Sequence, residues 1–246
     1  MNEETAVQTA RIPRAVPGNR ALAWFGEAIR LWKQRPVVFS LMAVVVLAAS
    51  LAFEAVPVVG IVASNVIAPL LACGFLYGSL AAESQPPPRV AHLFAVFAAP
   101  VRAQLAVVAT AIVVTLVEAA AAWAVADVNI FLPAEETSVV TPTSVLVIYA
   151  IGILASMPLQ FVPMAVLFDG EAPASAFASS VRACFLNPRA MLALAVYCFA
   201  LLLASVATMG VGLVLALPWI AIASYCAWKD IYAVAGSARG DQTPAE

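Results

Sequence analysis

Residues 30–60 read RLWKQRPVVFSLMAVVVLAASLAFEAVPVVG, and this stretch decides the fold. Arg30, Lys33 and Arg35 precede Pro36, and no further charge follows until Glu54. A membrane-crossing helix needs about 20 mostly apolar residues, and 37–56 supplies them. Val58, Val59 and Gly60 then carry the chain round into a second apolar run over 59–80. Basic island, proline, two apolar runs: this order recurs along the chain.

All 12 Lys and Arg residues fall into four islands. They are Arg11, Arg14, Arg20, Arg30, Lys33 and Arg35, then Arg89 and Arg102, then Arg182 and Arg189, then Lys229 and Arg239. The basic-free stretches between them, 36–88, 103–181 and 190–228, are each long enough for two spans. Hydrophobic residues make up 64% of the chain and charged residues 11%. Mean hydropathy is +0.99. Soluble domains are about half apolar and a quarter charged, so the composition specifies a polytopic membrane protein. Six spans are expected, at about 37–56, 59–80, 104–126, 144–168, 190–209 and 211–233. They occupy most of the 246 residues and leave no length for a soluble catalytic domain.

Lys and Arg collect in cytoplasmic loops, so the islands put both termini on the cytoplasmic side of the membrane. The outer loops then hold only acids: Glu54, Asp127, Glu135 and Glu136. The opening stretch, 1–18, lacks an apolar signal-peptide core, so the first span is expected to stay as an anchor. Cys73, Cys184, Cys198 and Cys226 avoid the outer loops, form no C-x-x-C pair and read as packing residues.

A shift of 152 positions aligns Phe25 with Phe177, Arg30 with Arg182, Pro36 with Pro188, and Val59-Gly60 with Val211-Gly212, without a gap. An internal repeat is therefore expected, in units of about 19–81, 89–168 and 172–235, the middle copy being the most diverged. Each unit opens with a short amphipathic helix and a proline that turns the chain into a hairpin of two spans. Leu22, Phe25, Ile29 and Trp32 form the apolar stripe of the first copy, opposite Arg20, Glu27, Arg30 and Lys33. Val90, Leu93, Phe94 and Phe97 form that of the middle copy, and Phe177, Val181 and Phe185 that of the last. Such helices are expected to lie in the headgroup plane with their aromatic faces toward lipid. The fold expected is thus all-α: one six-helix transmembrane domain over 19–235, three hairpins each introduced by an interfacial helix, and disordered tails at 1–18 and 236–246.

Candidate functional residues are few. Glu118 sits within the third span, where a carboxylate points to a proton or cation pathway, or to a hydrogen bond with Thr115 or another hydroxyl. Asn65 and Gln160 are the other polar groups at span depth, suited to cross-linking helices or lining a route. Pro69, Pro158, Pro163 and Pro218 are expected to kink their spans. His92, the single histidine, has no metal-ligand partners at suitable spacing. Asp169-Gly170 opens like the D-G-x-x-A-R element of phospholipid head-group transferases, but Pro173 and Ala174 break the pattern and the later carboxylates are missing. No H-E-x-x-H, G-x-x-x-x-G-K-[ST] or G-x-G-x-x-G occurs. Neither a metal site, an enzyme, a cofactor nor a nucleic-acid partner is expected. Contact with lipid or protein is expected of Trp24, Phe25, Arg30, Trp32, Lys33, Arg35 and Arg182. It is expected too of Lys229 and Asp230 at the end of the last span, where Asp230 can also pair with an island arginine.

Several of these stretches carry a resemblance. Trp24-Phe25, Ile29-Arg30-Leu31-Trp32, Arg35-Pro36, Pro57-Val58-Val59-Gly60, Leu93-Phe94, Phe97, Phe185-Leu186-Asn187-Pro188 and Tyr225-Cys226-Ala227-Trp228-Lys229-Asp230-Ile231-Tyr232 resemble a family of proteobacterial six-span inner-membrane proteins, the YciC-like group. The resemblance covers roughly residues 20–235. Family members end Tyr-x-x-x-Arg-Asp-Ile-Phe, where this chain has Lys229 and Tyr232. It implies the six-span topology and supplies no activity. The expected function is a non-catalytic accessory or scaffold protein whose basic face meets anionic lipid headgroups or partner membrane proteins. The alternative is a small-solute or proton-linked transporter or channel using Glu118.

Overall fold

A computed structural model of the chain describes residues 11–56, 59–84, 87–129, 131 and 141–234. Among them the fold is all helical, with nine α-helices and two 3₁₀ segments. The α-helices are α1 (Arg20–Gln34), α2 (Pro36–Glu54), α3 (Val59–Ala82), α4 (Val101–Ala126), α5 (Pro142–Ser156), α6 (Val162–Leu167), α7 (Pro173–Leu186), α8 (Pro188–Ala207) and α9 (Leu213–Ile231). Six helical stretches are long and apolar enough to cross a membrane, which makes this a multi-pass membrane protein. Residues 1–10 and 235–246 lie outside the described residues, as do Glu135, Glu136 and Arg239.

The prolines act where the sequence places them. Pro36 and Pro188 open α2 and α8, and the residue before each leaves helical geometry: Arg35 at φ −147°, ψ 62° and Asn187 at φ −124°, ψ 46°. Proline disfavours helix in its predecessor, so α1 and α7 stop there and the chain turns into a span. The fourth span is not one rod. After Ser156 it passes through a 3₁₀ turn, Met157–Leu159, before α6 resumes. Pro158 and Pro163 remove the backbone donors that would have carried α-helix through. The freed Phe161 N–H is taken by the Ser180 hydroxyl of α7 at 3.1 Å.

Two expectations need correction. The middle amphipathic segment, Val90–Ala98, is a 3₁₀ helix. Three residues per turn put Leu93 and Val96 on one edge, where both are buried, and leave Phe94 and Phe97 exposed. That edge lies on α3 at Gly74, where an added Cβ would come 2.4 Å from Leu93 Cα. The second correction is the tail. Residues 11–18 are a strap laid across the ends of α8 and α9: the Arg14 N–H donates to the Ile231 carbonyl at 2.8 Å, and Pro13 is buried.

Spans adjacent in sequence pack on each other, α2 with α3, α4 with α5 and α8 with α9. Contacts of α3 with α4, α5 with α8, and α9 with α2 complete a closed ring, crossed by α3 against α9. The short elements sit at one end of the ring, each against a span that precedes it in cyclic order: the 3₁₀ helix on α3, α7 on α6, and α1 on α9.

Core packing is concentrated at that same end. The largest fully buried side chains include Trp24, Phe39, Phe75, Phe161, Leu194 and Tyr225. At about 1.5 Å per residue, each lies within roughly 18 Å of the helix ends that carry the basic residues. In the opposite half most buried positions are small, Ala121, Ala122, Ser144, Gly152, Ser205 and Ala216, with Val46 and Pro218 the larger ones. Docked short helices add a second layer at the basic face and give large side chains something to fill. The other half has a single layer of spans surrounded by lipid.

Candidate functional site

The charges at the basic face form a seam centred on two consecutive residues of α9. Lys229 and Asp230 are each 5% exposed and point to opposite sides. Asp230 Oδ2 accepts from Arg20 Nε at 2.6 Å and from the Trp24 indole Nε1 at 2.9 Å. Its Oδ1 accepts from an Arg14 guanidinium nitrogen at 2.9 Å, while Arg14 Nε donates to the Asp230 carbonyl at 2.8 Å. A buried carboxylate is costly unless paired and hydrogen-bonded, and this one has two guanidinium partners and an indole. They arrive from 206 to 216 residues away in sequence, so Asp230 ties the start of the chain to its end.

Lys229 faces α3. Its ammonium lies 2.5 Å from Glu83 Oε2, which also accepts from the Tyr225 hydroxyl at 2.9 Å. The same ammonium lies 5.6 Å from the centroid of the Tyr225 ring. Arg11 extends the seam, with Nε 2.8 Å from Asp169 Oδ1 and its guanidinium carbon 5.9 Å from the Trp228 ring centre. Burial pushes the Asp169 carboxyl above its usual range; Arg11 opposes that shift and nearby Glu171 adds to it. Burial also raises the Tyr232 phenol to about 12, with the Ser179 hydroxyl opposing and Glu171 and Asp169 reinforcing. Asn187, just ahead of Pro188, accepts from the Val16 N–H at 2.7 Å and donates to the Arg14 carbonyl at 3.0 Å.

This geometry changes the reading of several contact residues. Trp24 is 0% exposed and is an internal donor, so it cannot be a headgroup anchor. Phe25 is buried against the Tyr197 ring, with centroids 5.2 Å apart, and Trp32 meets Trp219 edge to face at 5.7 Å. The buried face of α1 is Ala21, Trp24, Phe25, Ala28 and Leu31, laid against α9 and α8, while Leu22 of the expected stripe is exposed. Lys229 likewise does not snorkel outward: it is buried and paired. Arg30, Lys33, Arg35 and Arg182 are exposed, as are Arg89, Arg102 and Arg189, and none of the seven is in an ion pair among the described residues. The exposed aromatics beside them are Phe94, Phe97 and Phe185, the last 74% exposed.

Of the three polar groups at span depth, Asn65 is tied to α4 one turn from Glu118, and Gln160 lies elsewhere. The Thr115 hydroxyl donates to Asn65 Oδ1 at 2.8 Å, joining α4 to α3. Thr115 is thereby not the partner of Glu118, whose carboxylate lies instead on α5 at Gly152. Gln160 is apart from both, its amide nitrogen 3.9 Å from the Met191 sulfur. Among the described residues no three His, Cys, Asp or Glu side chains gather as metal ligands.

Sequence reasoning expected Asp230 to pair with an island arginine, and Arg14 and Arg20 do so; it missed Arg11, Glu83, Asp169 and Asn187 as partners. One signal was available: Glu83 is the first charge after the second span and Lys229 the last cation within the sixth, which places the two at one depth. The strap had none, because its polar, proline-containing composition is that of a free tail. Comparison with family models, curated proteins and solved structures gives no match.

Proposed function

We propose that this is a non-catalytic accessory or scaffold protein of a bacterial inner membrane, with its basic face cytoplasmic, which gathers anionic phospholipid around that face. One observation carries the reading. Seven exposed cations, none in an ion pair among the described residues, alternate with exposed Phe94, Phe97 and Phe185 at the ends of the spans, while the buried Lys229 and Asp230 are paired internally. Each basic residue near an anionic surface contributes about 1 kcal/mol of attraction, and the aromatic rings seat at the headgroup boundary. The shared frame of α1–α2 and α7–α8, with matching helix breaks at Arg35 and Asn187, supports the reading of a repeated membrane-entry unit presenting this collar around the ring. The resemblance to the YciC-like group agrees with such a role and adds no chemistry. Partner membrane proteins would meet the same face through the lipid it holds.

The test is lipid enrichment. Protein extracted from bilayers of mixed zwitterionic and anionic lipid is expected to retain anionic lipid several-fold above its bulk share, as counted by native mass spectrometry. Replacing Arg30, Lys33, Arg35 and Arg182 together by Gln should remove most of that enrichment. Equal retention of both lipid classes by the wild-type protein rejects the proposal.

A further inference from the structure

Glu118 has a setting that the lipid collar does not use. It lies past the midpoint of α4, toward the Ala126 end. At about 1.5 Å per residue, that is roughly 12 Å from the end of the span opposite the basic face. Every cation among the described residues belongs to the other end, Arg102 being the nearest along the helix. No hydrogen bond or ion pair among the described residues engages the Glu118 carboxylate. Its seat on α5 depends on a missing side chain. A Cβ at Gly152 would lie 1.9 Å from Glu118 Oε1 and 2.7 Å from Cδ. The backbone of α5 therefore admits the carboxyl group at a point where any larger residue would displace it.

The titratable groups on the helices packed against α4 are Cys73 and Tyr77 on α3, Tyr149 on α5, and Arg182 and Cys184 on α7. Of these only Tyr149, one turn before Gly152, belongs to the same half of the membrane, and it carries no charge to pair with a carboxylate. Most buried side chains of that half are small, and Glu118 itself is partly exposed. Asn65 and Thr115 supply a second polar pair one helical turn away, already bonded to each other. A carboxylate charge at membrane depth without a counter-cation is costly. An oxygen-poor site of this kind cannot encircle a metal cation, which needs several oxygen ligands. A proton needs one.

We propose that Glu118 is a proton-exchange site, its carboxyl seated on Gly152 and reached by water from the loosely packed half of the bundle. The acid O–H bond breaks to give a carboxylate and a proton carried off by that water, and the same bond reforms on return. Gly152 is a positioning residue, since it touches the carboxyl and no proton. This proposal does not rest on the lipid reading, and either can fail alone.

Infrared difference spectroscopy of the full chain in lipid, with ¹³C-labelled glutamate, reads the site. The wild-type protein should show a neutral glutamic acid carbonyl band that shifts in deuterium oxide and gives way to carboxylate as pH rises from mildly acidic to mildly alkaline. Glu118→Gln should lose that band. Gly152→Ala, which keeps the acid but unseats it, should move the band and its titration midpoint, and it carries the assignment if Glu118→Gln is not recovered in membranes. Absence of a neutral band in the wild-type protein overturns the proposal. So does a band that neither pH nor deuterium moves, or one that both variants leave in place.

Discussion

Asp230→Ala separates the two ends of the chain, and its cost can be worked out bond by bond. The substitution leaves the Trp24 indole N–H without an acceptor in a site where Trp24 is 0% exposed. A buried donor left unsatisfied costs about 1–3 kcal/mol. Arg14 and Arg20 lose their carboxylate too, but their side chains are 54% and 37% exposed and water replaces much of the contact. Those two pairs together contribute about 1 kcal/mol after that discount. The undocking of α1 from α9 should therefore become easier by about 2–4 kcal/mol, or about 30- to 700-fold in the open population at about 1.4 kcal/mol per tenfold. Cys226, buried on α9 among the α1 contacts, reports this opening. Its alkylation by a membrane-permeant maleimide, followed on its own peptide by mass spectrometry, should accelerate by that factor. Asp230→Asn keeps one acceptor oxygen and should fall between wild type and Ala. Alkylation of Asp230→Ala within twofold of wild type, or Asn as fast as Ala, would refute the claim that this carboxylate holds α1.

The Lys229–Glu83 pair should respond asymmetrically. Glu83→Gln strands an ammonium whose side chain is 6% exposed, whereas Lys229→Met leaves a carboxylate that is 27% exposed and still bonded to Tyr225. The first should cost about 3–5 kcal/mol and the second clearly less, with the double variant recovering most of the loss; thermal unfolding midpoints in detergent give the cycle. Gly74→Ala drives a Cβ to 2.4 Å from Leu93 Cα, a backbone atom that cannot rotate away, and should lower stability by about 1–3 kcal/mol while increasing hydrogen exchange of Val90–Ala98. Tyr232 gives a pH prediction. Its phenol moves from 10.0 to about 12 on folding, so its contribution is intact below pH 10.0 and is lost as pH rises through about 12. That sign follows because the folded state holds the phenol proton more tightly than the unfolded chain does. Tyr232→Phe should remove that alkaline loss and the step near pH 12 in the tyrosinate absorbance titration, while costing about 0.5–1.5 kcal/mol at neutral pH for the lost Ser179 hydrogen bond.

Some of this was legible residue by residue. Pro36 and Pro188 announced the helix breaks at Arg35 and Asn187, because proline acts on its immediate neighbours; of the four prolines expected to kink spans, Pro158 and Pro163 flank an interruption of the fourth, while Pro69 and Pro218 stand inside α3 and α9. The 3₁₀ form of Val90–Ala98 was not legible: the segment lies against Gly74 of another helix, a contact that its own sequence does not contain. Nor was the fate of the α1 stripe: Phe25 and Trp32 have the spacing of a membrane-lying helix, and the same spacing serves when the apolar surface below is α9. Periodicity placed Phe25 on the buried face but also Leu22, which is exposed, and it is silent on what covers either.

By itself the sequence determined six apolar spans, the clustering of basic residues at one end of them, and the points where the chain turns. These follow from local chemistry: run length against bilayer thickness, and proline against the helix. Only the tertiary structure decided which of the clustered charges are free. Arg14 and Arg20 belong to the same island as Arg30 and Arg35, yet packing of the strap and α1 on α9 pairs the first two with Asp230 and leaves the second two exposed and outside any ion pair among the described residues. A charge is defined by its residue, but its availability is set by what folds against it.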